Sequence, residues 1–504
     1  MRMIGFIVLL VCQVAIGAER PNIVLILADD LGYSDLGCFG SEIATPHLDA
    51  LAAGGIRFTQ MHNTAKCFPS RACLLTGVYA QHCNLWRTHA NITDAITLGE
   101  ALRSAGYRTL MVGKHHGTDN PFDRGFDRYW GLRDGACNHF NPGRQRPGEP
   151  APAQKRSNRT WCFDDKTVVG YSPPEKDFYT TDTFTRQALA FLDEAAQMDK
   201  PFLLYLAYTA PHDPLMAWPD DIARYKGRYD QGFAPVRQRR YQRQLDSGLL
   251  DAKRYPLSEP THRGWDAMTP EQRADQARRM EVYAAMIDRL DQKIGEVVAK
   301  LKQIGAFENT LILFASDNGA SAEDVQIGTG PIGAVDRWSS LQGDWANVCN
   351  TPFRYYKNDS FQGGICTPLV AHWPAGIVKP GRIDHTVLHF VDFMPTFLEL
   401  ARATYPGKFD GQKLHPLDGH SFVGLLRHRT FERDEPLFWN WRQGQAVLQD
   451  GYKLVRGTGH RRRGWELYHL TSDRTECHNV IAEHPEVAER LKASYARWEA
   501  TWKE

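Results

Sequence analysis

No Cys-x-x-Cys pair occurs among the ten cysteines, which removes the usual spacing of a structural zinc site or a thioredoxin-like redox centre. Excess charge of either sign is also missing. Sixty Lys and Arg against 59 Asp and Glu leave a net charge of +1, so the balance gives no reason to invoke nucleic acid. The chain has no internal repeat and no low-complexity tract. Long apolar runs are equally scarce: the stretch at residues 4–16 is too short to cross a membrane. With Arg2 before it and Gly17-Ala18 after it, it reads as a secretory signal cleaved near Ala18. Residues 1–18 are therefore set apart from the fold. The mature chain is expected to lack a transmembrane segment and to be exported, to a periplasm or outside the cell, or to a lysosome or the extracellular space in a eukaryote. Cys12 would leave with the signal. Cys38, Cys73, Cys83, Cys137, Cys162, Cys349, Cys366 and Cys477 would suit an oxidising compartment, and their pairing is not legible from spacing. Asn91, Asn158 and Asn358 head glycosylation sequons, meaningful only in a eukaryotic secretory pathway.

What is present looks globular. The hydrophobic fraction is 42% and the charged fraction 24%, and 504 residues exceed one core, so a large domain at 19–420 and a smaller one at 421–504 are expected. Short apolar, β-branched runs at 21–28, 107–112, 201–208, 310–315 and 367–374 read as buried strands. Helical patterns at 183–196 and 280–304 separate them. In the latter, Tyr283, Met286, Ile287, Leu290, Ile294, Val297, Val298 and Leu301 form an apolar stripe, with Gly305 as a stop. This alternation implies an α/β fold with a large mixed, mostly parallel sheet flanked by helices. After residue 421 the runs shorten (436–441, 445–450, 452–456, 465–470) and an amphipathic helix follows at 485–502, predicting a small antiparallel sheet packed by one helix. Residues 143–174, rich in Pro, Arg and polar side chains, suggest a surface excursion near a site rim. Basic clusters at 237–243 and 461–463 read as solvated faces, or, if functional, as contacts for a polyanion such as a sulfated glycan.

The strand-like runs end in chemistry. The first closes in Asp29-Asp30-Leu31-Gly32 and the run at 310–315 in Ser316-Asp317-Asn318-Gly319. Adjacent carboxylates at a buried strand end repel unless a cation sits between them. Each pair alone reads as readily as a turn or helix cap. Together, with no thiolate or imidazole among them, they suit a hard ion such as Ca²⁺ or Mg²⁺. Lys114-His115-His116 follows the run at 107–112, His212 follows 201–208, and Lys357 precedes Gln362-Gly363-Gly364 and the run at 367–374. In open α/β sheets ligands bind beyond the carboxyl ends of strands, so these residues are expected to converge on one crevice.

The segment Cys67-Phe68-Pro69-Ser70-Arg71, continuing through Ala72-Cys73-Leu74-Leu75-Thr76-Gly77, resembles the formylglycine site of the sulfatase family. The similarity runs from about residue 20 to the C-terminus. It implies an alkaline-phosphatase-like fold and a sulfuric ester hydrolase. In that family a maturation enzyme oxidises the cysteine to formylglycine (3-oxoalanine), whose hydrate attacks sulfur and later expels sulfate. A thiolate would leave a thiosulfate ester with no built-in release, whereas a geminal diol can collapse and eject sulfate. The resemblance further implies one Ca²⁺ (Mg²⁺ possible) on Asp29, Asp30, Asp317 and Asn318, with an oxygen from the modified Cys67. It casts Arg71 as holding the formylglycine and the carboxylates, Lys114 and Lys357 as sulfate-binding cations, His116 as acting on the diol, and His212 as lying near the leaving oxygen. Two departures from the family pattern stand out: His115 where a tryptophan is usual, and Gln362-Gly363-Gly364-Ile365-Cys366-Thr367-Pro368 where the family has Glu and Arg. The long segment between Asn318 and Lys357 is either a specificity wall or a surface loop. Two other classes remain as alternatives. One is a two-zinc phosphatase or phosphodiesterase of the same superfamily, and the other a non-catalytic glycan-binding relative. The expected substrate is a sulfated small molecule or glycan, its alcohol or phenol half being unspecified.

Overall fold

The computed structural model describes residues 20–261, 263–458 and 464–503. The expected signal at 1–18 and the basic cluster at 461–463 lie outside the described residues. The strands of the large sheet, in chain order, are β1 (Asn22–Asp29), β2 (Ile56–His62), β3 (Arg108–Gly113), β4 (Arg128–Leu132), β5 (Thr160–Phe163), β6 (Lys166–Val169), β7 (Phe202–Pro211) and β8 (Thr310–Ser316). A hairpin of β9 (Gln326–Gly328) and β10 (Arg337–Ser339) lies outside it, followed by β11 (Cys366–His372), β12 (Arg382–Asp384) and β13 (Leu388–His389). The sheet order is β12-β2-β11-β8-β1-β7-β3-β4-β5-β6, with β13 also on β2. Strands β8, β1, β7, β3 and β4 run parallel, while β11 opposes both β8 and β2 and the β4-β5-β6 edge is antiparallel. This is the mixed, mostly parallel sheet that the alternation of runs implies.

Alternate residues of β1 feed opposite faces, as strand geometry requires. Val24, Ile26 and Ala28 join a core under the helices Thr180–Ala195 and Pro270–Gln303. Ile23, Leu25 and Leu27 join a second core shared with the helices Cys67–Thr76 and Phe393–Ala401. Near the C-terminus, strands Leu437–Trp441, Gly444–Gln449, Tyr452–Arg456 and Glu466–His469 form an antiparallel meander against the helix Pro485–Lys503. Its Phe438, Val447, Leu454 and Leu467 belong to that same second core.

Some details differ from expectation. The long helix begins at Pro270, ten residues before the expected start at 280, because Thr269 and Gln272 form a reciprocal capping box and Pro270 occupies the first turn. Every described cysteine is a free thiol. The segment between Asn318 and Lys357 is not a simple surface loop: it holds the β9–β10 hairpin and a helix, Gln342–Cys349, with Trp338 and Trp345 buried.

The turn after β1 rests on a buried ion network. Arg240, at 0% exposure, reaches Asp35 at 2.6 Å and Glu42 at 2.9 Å. Asp35 in turn accepts from the Gly32 amide and from Tyr283 Oη, which also donates to the Asp30 carbonyl. Burial would raise the Glu42 carboxyl, but Arg240 more than offsets it and holds the group at about 2, against an ordinary 4.5. A depressed carboxylate stabilises the fold above its unfolded value and loses that contribution as pH falls. Arg240→Leu, which strands the buried Asp35 and the partly buried Glu42, is expected to cost about 3–5 kcal/mol in denaturant unfolding at neutral pH. The cost should shrink as pH drops from about 4.5 toward 2. A loss that stays the same across that range would contradict the assignment to Glu42.

Candidate active site

Four parallel strands deliver their last residues to one edge of the sheet. Asp29 ends β1 and Asp30 follows it, Lys114 follows β3, His212 follows β7, and Asp317 and Asn318 follow β8. Because β11 runs the other way, the residues before it, Lys357 and Gln362, reach the same edge. Two glycines allow the close approach. A Cβ at Gly113 (φ 106°) would sit 1.9 Å from the Ala207 carbonyl oxygen, and one at Gly319 would meet the Gly363 oxygen at 1.9 Å. Asp30 (φ 66°) and His116 (φ 65°) both hold the left-handed conformation without being glycine. Such strain is tolerated where surrounding contacts over-determine it, and it concentrates at functional sites.

Asp29, Asp30 and Asp317 are buried carboxylates, and three buried cations face them. Lys114 Nζ lies 2.5 Å from Asp29 Oδ2, and Lys357 Nζ 2.7 Å from Asp30 Oδ1. Arg71 donates from Nε to Asp317 Oδ2 at 2.9 Å and from Nη1 to the Lys114 carbonyl at 2.7 Å. Asn318 Nδ2 donates to Asp30 Oδ1 at 2.6 Å. Asp29 stays well below the usual carboxylate range because Lys114, His212, Arg71 and Lys357 together outweigh its burial. Asp317 is pushed up to about 6 by burial and by the neighbouring Asp29.

The donor set fits a hard cation. Asp29 Oδ1 and Asn318 Oδ1 are buried oxygens without a hydrogen-bond partner, each an expense of about 1–3 kcal/mol unless something binds it. Carboxylate oxygens of Asp29 and Asp30 and a nitrogen of His212 lie within 4.8 Å of one another. Asp29, Asp30 and Asp317 are balanced by Lys114, Lys357 and Arg71 alone, before His212 is counted. A divalent ion would therefore make the pocket positive, as an anionic ester requires.

Cys67 opens the helix Cys67–Thr76, beyond the carboxyl end of β2, and is 1% exposed. Ser70 ties down the approach: its Oγ accepts from the Thr64 amide at 3.0 Å, and its own amide donates to the Lys66 carbonyl. Cys67, His116 and His212 line one cleft of about 270 Å³ with Lys66, Phe68 and Glu323. The adjacent histidines part company here. His115 Nε2 pairs with Asp119 at 3.0 Å, whereas His116 packs against Phe68; the Nδ1 of each ring has no partner.

The two cleft imidazoles are driven in opposite directions. Burial, and then Lys114 and Lys66, hold His116 well below its ordinary value, so it is neutral. Burial also works against the His212 imidazolium, but Asp30 more than compensates and raises the group to about 9. A cation among the carboxylates would oppose that pull. His212 Nδ1 points at the Asp213 carbonyl (2.6 Å) and Oδ1 (2.8 Å), while Nε2 faces Asp30 Oδ2 at 3.5 Å.

The structure thus brings Asp29, Asp30, Arg71, Lys114, His212, Asp317, Asn318 and Lys357 into one contact network, with Cys67 and His116 on the cleft above it. It adds residues that no run or motif marks. Asp213 orients His212 and is itself held by Trp338 Nε1 at 3.1 Å and Ser340 Oγ at 2.5 Å. Glu323 sits among Lys66 (3.8 Å), Lys155 (3.2 Å) and Lys357 (3.9 Å). Trp338, Ser340 and Glu323 all come from the segment after Asn318, which therefore forms a wall of the site.

Among known proteins, the family model "Sulfatase" matches residues 21–403, and the model "N-sulphoglucosamine sulphohydrolase, C-terminal" matches residues 353–500. An uncharacterized sulfatase of Schizosaccharomyces pombe is 32% identical, covering 96% of this chain and 94% of its own. An arylsulfatase of Klebsiella aerogenes is 36% identical, covering 76% of this chain and 87% of its own. A solved structure, Ps i-CgsB in complex with k-i-k-neocarrahexaose, superposes with a TM-score of 0.70 at 26% identity, over 95% of this chain and 93% of that one. With matches of that extent and a sheet of the alkaline-phosphatase-like kind, the chain belongs to the sulfatase family and is an enzyme that hydrolyses sulfate esters.

Proposed function

We propose that the protein cleaves sulfate esters of carbohydrates or phenols with a nucleophile made from Cys67. The observation that carries this reading is the adjacency of parts: Cys67, His116 and His212 share a cleft, and His212 reaches from it to Asp30 in the buried cluster of Asp29, Asp30 and Asp317 with its lysines. Oxidised to formylglycine by a maturation enzyme and hydrated, position 67 would supply a hydroxyl nucleophile and a route for releasing sulfate. Asp29, Asp30, Asp317 and Asn318, with an oxygen from position 67, would hold one Ca²⁺ or Mg²⁺, which withdraws negative charge from sulfate oxygens.

The side chains divide the remaining work. His116, neutral beside Lys114, accepts the nucleophile's proton. His212, its ring oriented by Asp213, donates a proton to the leaving oxygen. Lys114 and Lys357 bind sulfate oxygens in a pocket where charge-assisted hydrogen bonds are shorter and stronger than neutral ones. Arg71 positions the Asp317 carboxylate and the Lys114 main chain. Export rests on the signal-like pattern of residues 1–18 alone. No helix among the described residues is long and apolar enough to cross a membrane. The division of the chain near residue 420 into a catalytic domain and a C-terminal subdomain belongs to this same reading.

Three outcomes are expected. Cys67→Ala and Cys67→Ser should each retain less than about 0.1% of wild-type kcat/KM, and peptide mass spectrometry of active preparations should show position 67 oxidised. Full turnover by protein carrying only the unmodified thiol would falsify the nucleophile assignment. Chelation should abolish activity and lower the melting temperature, since an ion bound only to the folded state stabilises it by mass action. Ca²⁺ or Mg²⁺ should restore both; two tightly held zinc ions per chain would instead favour a phosphatase. For His212→Ala, the expected loss on poorly activated sugar sulfates is about 10²–10⁴-fold, and much less on esters of acidic phenols, which leave without a proton. An equal fractional loss across leaving groups of graded acidity would remove His212 from the acid role.

A further inference from the structure

The excursion between β4 and β5 brings Lys155, Arg156 and Arg159 to the wall of the cleft that holds Cys67. Four cations, counting Lys66, face two carboxylates there, Asp134 and Glu323. The partnering of these cations is uneven. Lys66 and Lys155 both reach Glu323, and Lys155 also lies 3.5 Å from Asp213. Among the described residues, no carboxylate comes within 4.0 Å of the guanidinium of Arg156 or Arg159. Asp134 attracts Arg159 from further off, but its Oδ2 is taken by the Thr160 amide at 2.5 Å. Burial holds Arg159 below its ordinary value, and Arg156 beside it pushes the same way. Two neighbouring guanidiniums without an anion, one of them half-buried, form an arrangement that a bidentate oxyanion would complete.

The rest of the cleft suits a sugar better than an arene. Phe68 is the one aromatic ring other than histidine on its wall among the described residues, and it is packed between His116 and Trp441. No open ring is left for stacking. Thr88, Thr118 and small residues at 135–136 line the remainder.

We propose that Arg156 and Arg159 form a subsite for a second anionic group, a sulfate or a carboxylate, on the molecule whose sulfate ester is cleaved. The natural substrate is then a saccharide bearing at least two negative charges. This inference rests on the sulfatase reading for the scissile group, but it concerns a different part of the ligand. The pocket beneath is not open to the second anion, because on the sulfatase reading its Lys114 and Lys357 take the scissile sulfate, and Arg71 is held by Asp317.

A binding measurement separates the two readings. In a Cys67→Ala background, which binds without turnover, calorimetry with disaccharides carrying one, two or three sulfate or carboxylate groups gives the ratio of Kd values. Two charges should bind about 10- to 100-fold tighter than one, and added salt should erode the preference because Arg156 is exposed. The double variant Arg156→Gln/Arg159→Gln should bring the ratio below about threefold. Arg156→Gln alone, at an exposed position that the fold does not need, should lower it measurably. A ratio that is flat in the parent, or untouched in both variants, overturns the subsite. A preserved ratio in an enzyme that, with Cys67 intact, cleaves no sulfate ester would instead overturn the sulfatase reading and leave the subsite standing.

Discussion

Burying three carboxylates within reach of one another is the constraint on which this structure turns. Each ion taken out of water costs several kcal/mol even after relaxation, and a like-charged neighbour adds to that. Asp29, Asp30 and Asp317 are tolerable together only because Lys114, Lys357 and Arg71 arrive with them. Those cations come from different strands and from a helix far apart in the chain. The fold must therefore bring all of them to one sheet edge at once. Asn318 fits the same balance: it offers an oxygen without adding a fourth charge. Gly113 and Gly319 give up a side chain because the backbones on either side leave no room for one.

The same arrangement sets acid against base. His116 and His212 share a cleft, yet one is surrounded by lysines and arginine and the other faces Asp30 and Asp213. Environment alone drives one imidazole toward its neutral form and the other toward the imidazolium, the pattern by which two like groups can take opposite roles. The wall built by Trp338, Ser340 and Glu323 keeps that difference in place, since it fixes Asp213 and shares Lys357 with Asp30.

The legible parts of the chain were those in which burial leaves an uninterrupted apolar signature. Strands covered on both faces read as continuous runs, so the parallel β1, β3, β7 and β8 and the antiparallel β11 stand out, and with them the polar residues at their ends. Strand β2, which leads to Cys67, does not stand out. Its Arg57, Gln60 and His62 interrupt the pattern, although Gln60 and His62 are buried and satisfied through His385, Leu388 and Gln362. The resemblance around Cys67 marked that segment where periodicity could not. Glu323 and Asp213 lay beyond reach for another reason: their importance comes from lysines and a histidine that only tertiary folding puts beside them. Eight cysteines would suit an oxidising compartment, with a pairing that spacing does not reveal, and every described cysteine is a free thiol.

The C-terminal meander props up the neighbourhood of Cys67. Trp439 Nε1 donates to the Asn63 carbonyl at 2.6 Å, Trp441 Nε1 to Asn358 Oδ1 at 2.9 Å, and the Trp441 ring packs 5.2 Å from Phe68. These props are made last. At ordinary rates of synthesis the ribosome releases Trp439 roughly 20 to 70 s after Cys67. Until then the turn around Asn63 lacks its indole donor and the second core lacks a wall. The thiol that ends 1% exposed in the finished fold therefore spends that interval in an unfinished one. Any catalyst that must touch it works against the clock of translation, and whatever slows the arrival of the last strands lengthens its opportunity.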